Sequence, residues 1–318
     1  MAQEKQSKTT LSQSNYRSVS TPTGFPGLPE GWASEWETFP SADGQLKLFG
    51  VTHFRQNPAG RRALIVFHGQ GEHGGRYTHV PHFVQNEIDV VYCLDHRGHG
   101  RSEGLRGHVD HFDQYVADAA LVVDRVSEKL KSQLGSSEIH ILGHSMGGLI
   151  TTRLLFNHAS LPIQAATITS PLLGIKMKVP PLKKYAGIVL SNILGKLQMT
   201  SGVDPATLSR DPALQECYAS DRLVHSKVTP KFFTELQAAM ADTLKHTTGP
   251  TYPIQVLIPP EDALVDSDIS LPFFQALKCH DKEIKTYPGY RHEILNDIGK
   301  EKVFEDLVSW LIRHHSKS

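Results

Sequence analysis

The sequence predicts an α/β fold: a mostly parallel central sheet, helices on both of its faces, and an inserted helical cap over one end. Three observations predict it. Apolar runs too continuous to be half-exposed recur along the chain, as in strands buried on both faces. Amphipathic helical patterns separate them, and that alternation implies parallel strands joined by right-handed crossovers. Residues 171–250, flanked by strand patterns on both sides, carry only short helical patterns.

In chain order, residues 1–33 are polar and lack the apolar core of a secretory signal, so a disordered extension is expected there. From Trp36 the text turns strand-like, with a turn at Ala42, Asp43 and Gly44. The buried strand runs are ALIVFHG (63–69), DVVYCLD (89–95), EIHILG (138–143), AATITS (165–170) and IQVLIP (254–259), with EIKTYPGY following later. Between them, one helical pattern puts Phe112, Tyr115, Ala119, Val122, Val123, Val126 and Leu130 on a single face. GGLITTRLLFNH is a second helix, and EKVFEDLVSWLIRHH closes the chain. Residues 34–170 and 251–318 therefore form the expected core, and 171–250 the cap.

Bulk properties exclude several functions. Thirty-three basic residues balance 33 acidic ones, so the excess of Lys and Arg that holds nucleic acid is missing. Cys93, Cys217 and Cys279 are widely spaced and odd in number, which excludes a disulfide framework or a zinc knuckle; no metal site is expected. No run reaches the ~18 apolar residues of a membrane span. The expected location is the cytoplasm, with room for peripheral contact at the inner membrane surface. The sequence leaves the oligomeric state unknown.

Gly-x-Ser-x-Gly occurs twice, around Ser102 and around Ser145. Ser145 lies between a strand and a helix, with Gly143, Gly147 and Gly148 beside it, as a nucleophile elbow requires. Ser102 sits among Gly98, Gly100, Gly104 and Gly107 in what reads as a loop. Ser145 is therefore the candidate nucleophile, with a helix N-cap serine as its plain alternative.

A serine needs a base held by a third group, and in open α/β sheets such groups lie beyond the carboxyl ends of strands. Of 18 histidines, His292 follows a strand in that position, whereas His280 precedes one and His314 and His315 lie on the last helix. For the acid, Glu261, Asp262 and Asp266 compete after the strand 254–258. Asp266 is better placed to cap the next helix, and Asp262 is preferred. The order Ser145, Asp262, His292 is that of the α/β-hydrolases. For the oxyanion, the N–H of Met146 follows from the elbow. The loop HGQGEHGGRY supplies the N–H of Gln70, with His68 expected to brace it; a flexible glycine turn is the alternative.

HGQGEHGGRY, DHRGHGRSEG, GHSMGG and YPGYRHEIL, in that order, resemble the monoacylglycerol lipase and lysophospholipase branch of the α/β-hydrolases, and the cap stretch VDPATLSRDPALQECYASDRLVH resembles it too. The likeness runs from about Trp36 to the last helix. It implies the α/β-hydrolase fold, Ser145, Asp262 and His292 as catalytic triad, and Gln70 and Met146 as oxyanion donors. It further implies that Glu72, Arg76 and Tyr218 shape the polar, substrate-binding end of the pocket. Two departures stand out: the acid loop reads IPPED without a glycine turn, and the oxyanion position holds Gln70 where a small residue is common.

Residues 174–197 carry five lysines and no acids beside an apolar stripe. Such a helix can lie in an anionic membrane interface, or the stripe can simply pack on the core. The expected activity is hydrolysis of single-chain lipid esters, with no metal or organic cofactor. A thioesterase or small-molecule carboxylesterase would use the same groups, and a non-catalytic scaffold is the remaining alternative.

Overall fold

The computed structural model describes residues 25–58, 62–135, 137–176 and 194–316. The first 24 residues of the expected extension, and residues 177–193 of the basic cap stretch, lie outside them.

Eight strands form one sheet in the order β1-β2-β4-β3-β5-β6-β9-β10. Their spans are β1 (Trp32–Pro40), β2 (Lys47–Arg55), β3 (Arg62–Phe67), β4 (Val90–Asp95), β5 (Glu138–His144), β6 (Ile163–Thr169), β9 (Ile254–Ile258) and β10 (Lys282–Thr286). β1 and β2 run antiparallel, and every pair from β4 to β10 is parallel. The continuous apolar runs have the expected cause: in β3, Ala63, Ile65 and Phe67 join the core on one face while Leu64 and Val66 join the core on the other.

The helices are α1 (Val80–Val84), α2 (Asp113–Leu134), α3 (Met146–Asn157), α4 (Pro212–Ser220), α5 (Pro230–Thr243), α6 (Ser267–Ala276) and α7 (Lys300–Arg313). α2 buries the stripe from Tyr115 to Leu130, and Gly135 ends it in the left-handed conformation, its N–H bonded to the Lys131 carbonyl. α7 buries Val303, Phe304, Leu307 and Leu311 against the opposite face. Helices thus cover both sides of the sheet.

Two details differ from expectation. β1 begins at Trp32, which is buried, so the ordered chain starts ahead of Trp36. The stretch between β6 and β9 also holds a two-stranded ribbon, β7 (Met199–Thr200) with β8 (Lys227–Val228). Strands of two residues are too short to leave a periodic signal. Among the described residues no helix is long and apolar enough to cross a membrane.

Candidate active site

Ser145 joins β5 to α3 with φ 53° and ψ −112°, a strained backbone for a residue with a side chain. Its neighbours must be small for the strand and helix to close. A Cβ on Gly147 would lie 2.0 Å from the Phe67 carbonyl oxygen, and one on Gly143 would lie 2.3 Å from Thr151 Oγ1. The strained unit is pinned by hydrogen bonds. Ser145 donates its N–H to the Thr169 carbonyl at 3.0 Å, and its own carbonyl accepts from Leu149 and Leu172, each at 3.1 Å.

Two loops at the carboxyl ends of strands bring their side chains to this elbow. His292, after β10, places Nε2 2.9 Å from Ser145 Oγ. Its Nδ1 lies 2.6 Å from Asp262 Oδ2, in the loop after β9. The second Asp262 oxygen accepts the N–H groups of Leu264 and Val265 at 2.8 and 3.2 Å. An ionised carboxylate only accepts, so Nδ1 carries the proton and Nε2 is free to accept from the serine hydroxyl. Burial of His292 opposes its protonation, but the Asp262 carboxylate, helped by Glu293 and Glu72, outweighs this and raises its pKa above the ordinary value. For Asp262 burial pulls upward, and His292 with the two N–H donors holds the pKa below the usual range. The Ser170 hydroxyl donates to the His292 carbonyl at 2.6 Å and fixes the loop.

The competing residues have other partners. Asp266 caps α6 by accepting the Asp268 N–H. Glu261 accepts the Gly289 N–H at 3.0 Å. Ser102 donates to the Asp95 carbonyl and accepts from the Phe49 N–H, a structural role in a buried loop.

Met146 opens α3, so its N–H is one of the helix's orphan first-turn donors, beside the serine. The loop after β3 passes close by: a Cβ on Gly69 would lie 3.3 Å from Ser145 Cβ. His68 braces this loop, its Nδ1 donating to the Gly69 carbonyl at 2.7 Å and its Nε2 accepting the His96 N–H at 3.1 Å. Gln70 lines the pocket and sends its side-chain amide to the Lys227 carbonyl at 3.1 Å, tying the loop to the β7–β8 ribbon.

Above Ser145 and His292 opens a cavity of about 380 Å³. Leu172, Ile175, Val203, Leu208, Phe232 and Leu236 contribute to its apolar wall, whereas Glu72, Tyr218 and Glu293 form a polar end. Arg76 does not itself line the cavity. It is buried behind it, its guanidinium 4.9 Å from the Tyr218 ring centre. Its Nη1 donates to Glu72 Oε2 and Glu293 Oε1, both at 2.6 Å, and its Nη2 to Glu293 Oε2 at 2.7 Å. Burial pushes the Glu293 carboxyl up, but Arg76 outweighs it and holds the pKa at about 2. Burial and the neighbouring Glu293 carboxylate raise that of Glu72, while Arg76, the Gly69 N–H at 2.6 Å and the Tyr77 hydroxyl at 2.8 Å pull the other way; the balance lies above the ordinary value.

Glu293 is the site residue that sequence reasoning missed. Its signal was its place directly after His292, but its partner Arg76 stands 217 positions away. His144, whose ring centre lies 4.9 Å from that of His292, was missed as well. Among the described residues no group of three or more His, Cys, Asp or Glu is placed to hold a metal ion.

A sequence profile of the serine aminopeptidase S33 family matches residues 58–299, a span that contains Ser145, Asp262, His292 and the segment between β6 and β9. The chain belongs to this family. Within reach of the S33 family, it is 28% identical over 258 residues to a monoacylglycerol lipase of Mycolicibacterium smegmatis, covering 80% of this chain and 89% of that one. It is 28% identical over 168 residues to phospholipase YtpA of Bacillus subtilis, a match that spans 52% of this chain and 65% of that protein. The crystal structure of a monoacylglycerol lipase from Paleococcus ferrophilus superposes with a TM-score of 0.73 at 29% identity, covering 84% of this chain and 99% of that one.

Proposed function

We propose that this protein is a serine ester hydrolase acting on single-chain lipid esters, monoacylglycerols first among them. Ser145 attacks the ester carbonyl while His292 takes its proton. Asp262 holds the imidazole in the required tautomer and stabilises the imidazolium. The N–H groups of Met146 and Gln70 receive the oxyanion. His292 then protonates the leaving alcohol and activates the water that frees the acyl group. Residues 171–250 serve as the cap over this site.

The observation that carries the reading is the Ser145–His292 hydrogen bond at the base of an apolar cavity with a carboxylate-bearing end. The apolar wall suits an acyl chain, each buried CH₂ contributing ~0.8 kcal/mol. The polar end decides the alcohol. Glu72 and Glu293 share one guanidinium, so the end presents carboxyl oxygens to the cavity. Neutral hydroxyls can donate to these, whereas among the described lining residues no lysine or arginine is present to meet a phosphate. The lipases and the phospholipase to which the chain is similar leave both alcohols open, and this polar end favours glycerol.

The mouth of the cavity supports peripheral membrane contact. Met199 lines it, and Leu194, Leu197 and Met199 are exposed next to exposed Lys196. Three free thiols, at Cys93, Cys217 and Cys279, fit a reducing cytoplasm.

The deciding experiment compares release of the same fatty acid from a monoacylglycerol and from a lysophosphatidylcholine. Faster turnover of the monoacylglycerol, abolished by Ser145→Ala, is expected. A folded wild-type protein that cleaves neither ester overturns the proposal; preference for the phospholipid overturns the choice of alcohol.

A further inference from the structure

We propose that Arg76 is a positioning residue that couples the oxyanion loop to the general base, and that it is not a ligand of the substrate. The inference rests on the functional reading above and deepens it.

The coupling follows one continuous path. Gly69, which precedes Gln70 in the oxyanion loop, gives its N–H to Glu72. The other oxygen of Glu72 accepts from Arg76 Nη1. Arg76 then grips both oxygens of Glu293, the peptide neighbour of His292. Asn296 donates to Glu293 Oε2 at 2.9 Å, and the Glu293 N–H is bonded to the Leu208 carbonyl at 2.8 Å. One buried guanidinium thereby sets the distance between the donors that receive the oxyanion and the imidazole that moves the proton.

Both N–H groups of Nη1 and one of Nη2 go to carboxylates, and the side chain is 1% exposed. Arg76 sits behind Glu72 and Glu293 and does not line the cavity, so an alcohol bound there meets the carboxylates rather than the guanidinium. Taking three charges out of water is costly, and the arrangement makes sense where a fixed geometry is needed. Only arginine offers the planar fork that the two carboxylates grip; a lysine supplies the charge but not the fork. The charged and titratable groups around His292 are Asp262, His144, Glu72, Glu293 and, through the glutamates, Arg76.

The test uses the full chain with Arg76→Lys and Glu293→Gln, on a monoacylglycerol and on p-nitrophenyl butyrate, which has no polyol. For Arg76→Lys, kcat falls by roughly 10²-fold on both substrates, as a displaced catalytic geometry would cause. KM stays within about twofold and the acid limb of the pH profile does not move, since the charge is kept. Glu293→Gln also lowers kcat, and it moves the acid limb to lower pH, because one negative charge beside His292 is gone. Loss of kcat at an unchanged KM, equal on the ester with no polyol, is the pattern that neither a substrate ligand nor a merely structural residue would give. If circular dichroism shows Arg76→Lys unfolded, Glu293→Gln carries the test through the same split between kcat and KM. A rise in KM confined to the monoacylglycerol, with p-nitrophenyl butyrate turned over normally, overturns the inference and makes Arg76 a substrate ligand. An unmoved acid limb in folded, active Glu293→Gln overturns it too. A folded wild type inactive on both substrates overturns the functional reading and the inference with it, whereas an active wild type with either contrary pattern overturns the inference alone.

Discussion

Asp262 holds His292 Nδ1 at 2.6 Å with one carboxylate oxygen and is itself held by two backbone N–H groups through the other. The carboxylate cannot rotate away without losing both. Asp262→Asn keeps the shape but places an amide where only an acceptor serves. If its NH₂ faces the ring, His292 must switch tautomer and Nε2 carries the proton. A fall in kcat of about 10⁴-fold on p-nitrophenyl butyrate is expected, with the fold intact by circular dichroism. A loss under tenfold would remove Asp262 from the mechanism.

The same pair predicts the pH profile. Asp262 raises the His292 pKa above the ordinary histidine value against the effect of burial. Protonated His292 cannot take the serine proton, so activity is lost as pH falls through that pKa. The acid limb of kcat/KM for wild type is expected above about pH 6.5. In Asp262→Asn, the limb of the residual activity is expected at lower pH. A wild-type limb near pH 5 would contradict the charge on Asp262.

The two Gly-x-Ser-x-Gly motifs separate by experiment. Ser102 is buried and bridges the Asp95 carbonyl and the Phe49 N–H, so Ser102→Ala leaves both without that partner. A stability loss of about 1–3 kcal/mol by urea denaturation is expected, with kcat near wild type. Ser145→Ala should do the reverse. A fluorophosphonate probe should label the wild type and the Ser102 variant but not the Ser145 variant; labelling at Ser102 would reverse the assignment.

What the sequence reveals of this site follows from the range of the interactions involved. Strands such as ALIVF were legible because burial on both faces excludes polar residues at every position. The elbow was legible because its glycines bracket Ser145 at a strand-to-helix junction, where Gly143 answers a steric demand from Gly147 and Thr151 close by in the chain. Asp266 was legible as a cap because capping is local. Glu293 was not, because its role exists only once Arg76 arrives from the far end of the core. The β7–β8 ribbon, two residues a side, is held by register with a distant strand and leaves no pattern. Trp32 looked like part of a polar extension because its neighbours are polar, yet it packs on the α7 side of the sheet with Leu64 and Val66.

The close approach at the elbow predicts a stability effect. A methyl on Gly147 would sit 2.0 Å from the Phe67 carbonyl oxygen and 2.7 Å from that of His68. Both are backbone atoms of the strand and loop that lead to Gln70, so neither can yield without moving it. Gly147→Ala is expected to lose about 1–3 kcal/mol of stability and to lose activity as well, since the loop carrying Gln70 shifts against Ser145. A variant as stable and as active as wild type would show that the helix and strand can part at no cost.

The exposed mouth makes the last prediction. Leu194 and Leu197 are each 49% exposed, and Met199, at 42%, reaches the cavity wall. Apolar side chains held open to water, Met199 among them on the cavity wall, can enter a bilayer surface, and Lys196 between the two leucines would favour anionic lipid. Leu194→Asp with Leu197→Asp removes the apolar contact and adds repulsion, while both positions lie away from Ser145 and His292 in the chain. Losing about 1.4 kcal/mol of insertion energy corresponds to a tenfold weaker association. Turnover of a monoacylglycerol carried in anionic vesicles should therefore fall about tenfold, whereas hydrolysis of soluble p-nitrophenyl butyrate should stay within about twofold of wild type. The ratio between the two assays is the readout, because damaged packing would depress both. Equal losses would assign the leucines to packing, and unchanged vesicle turnover would overturn the membrane route.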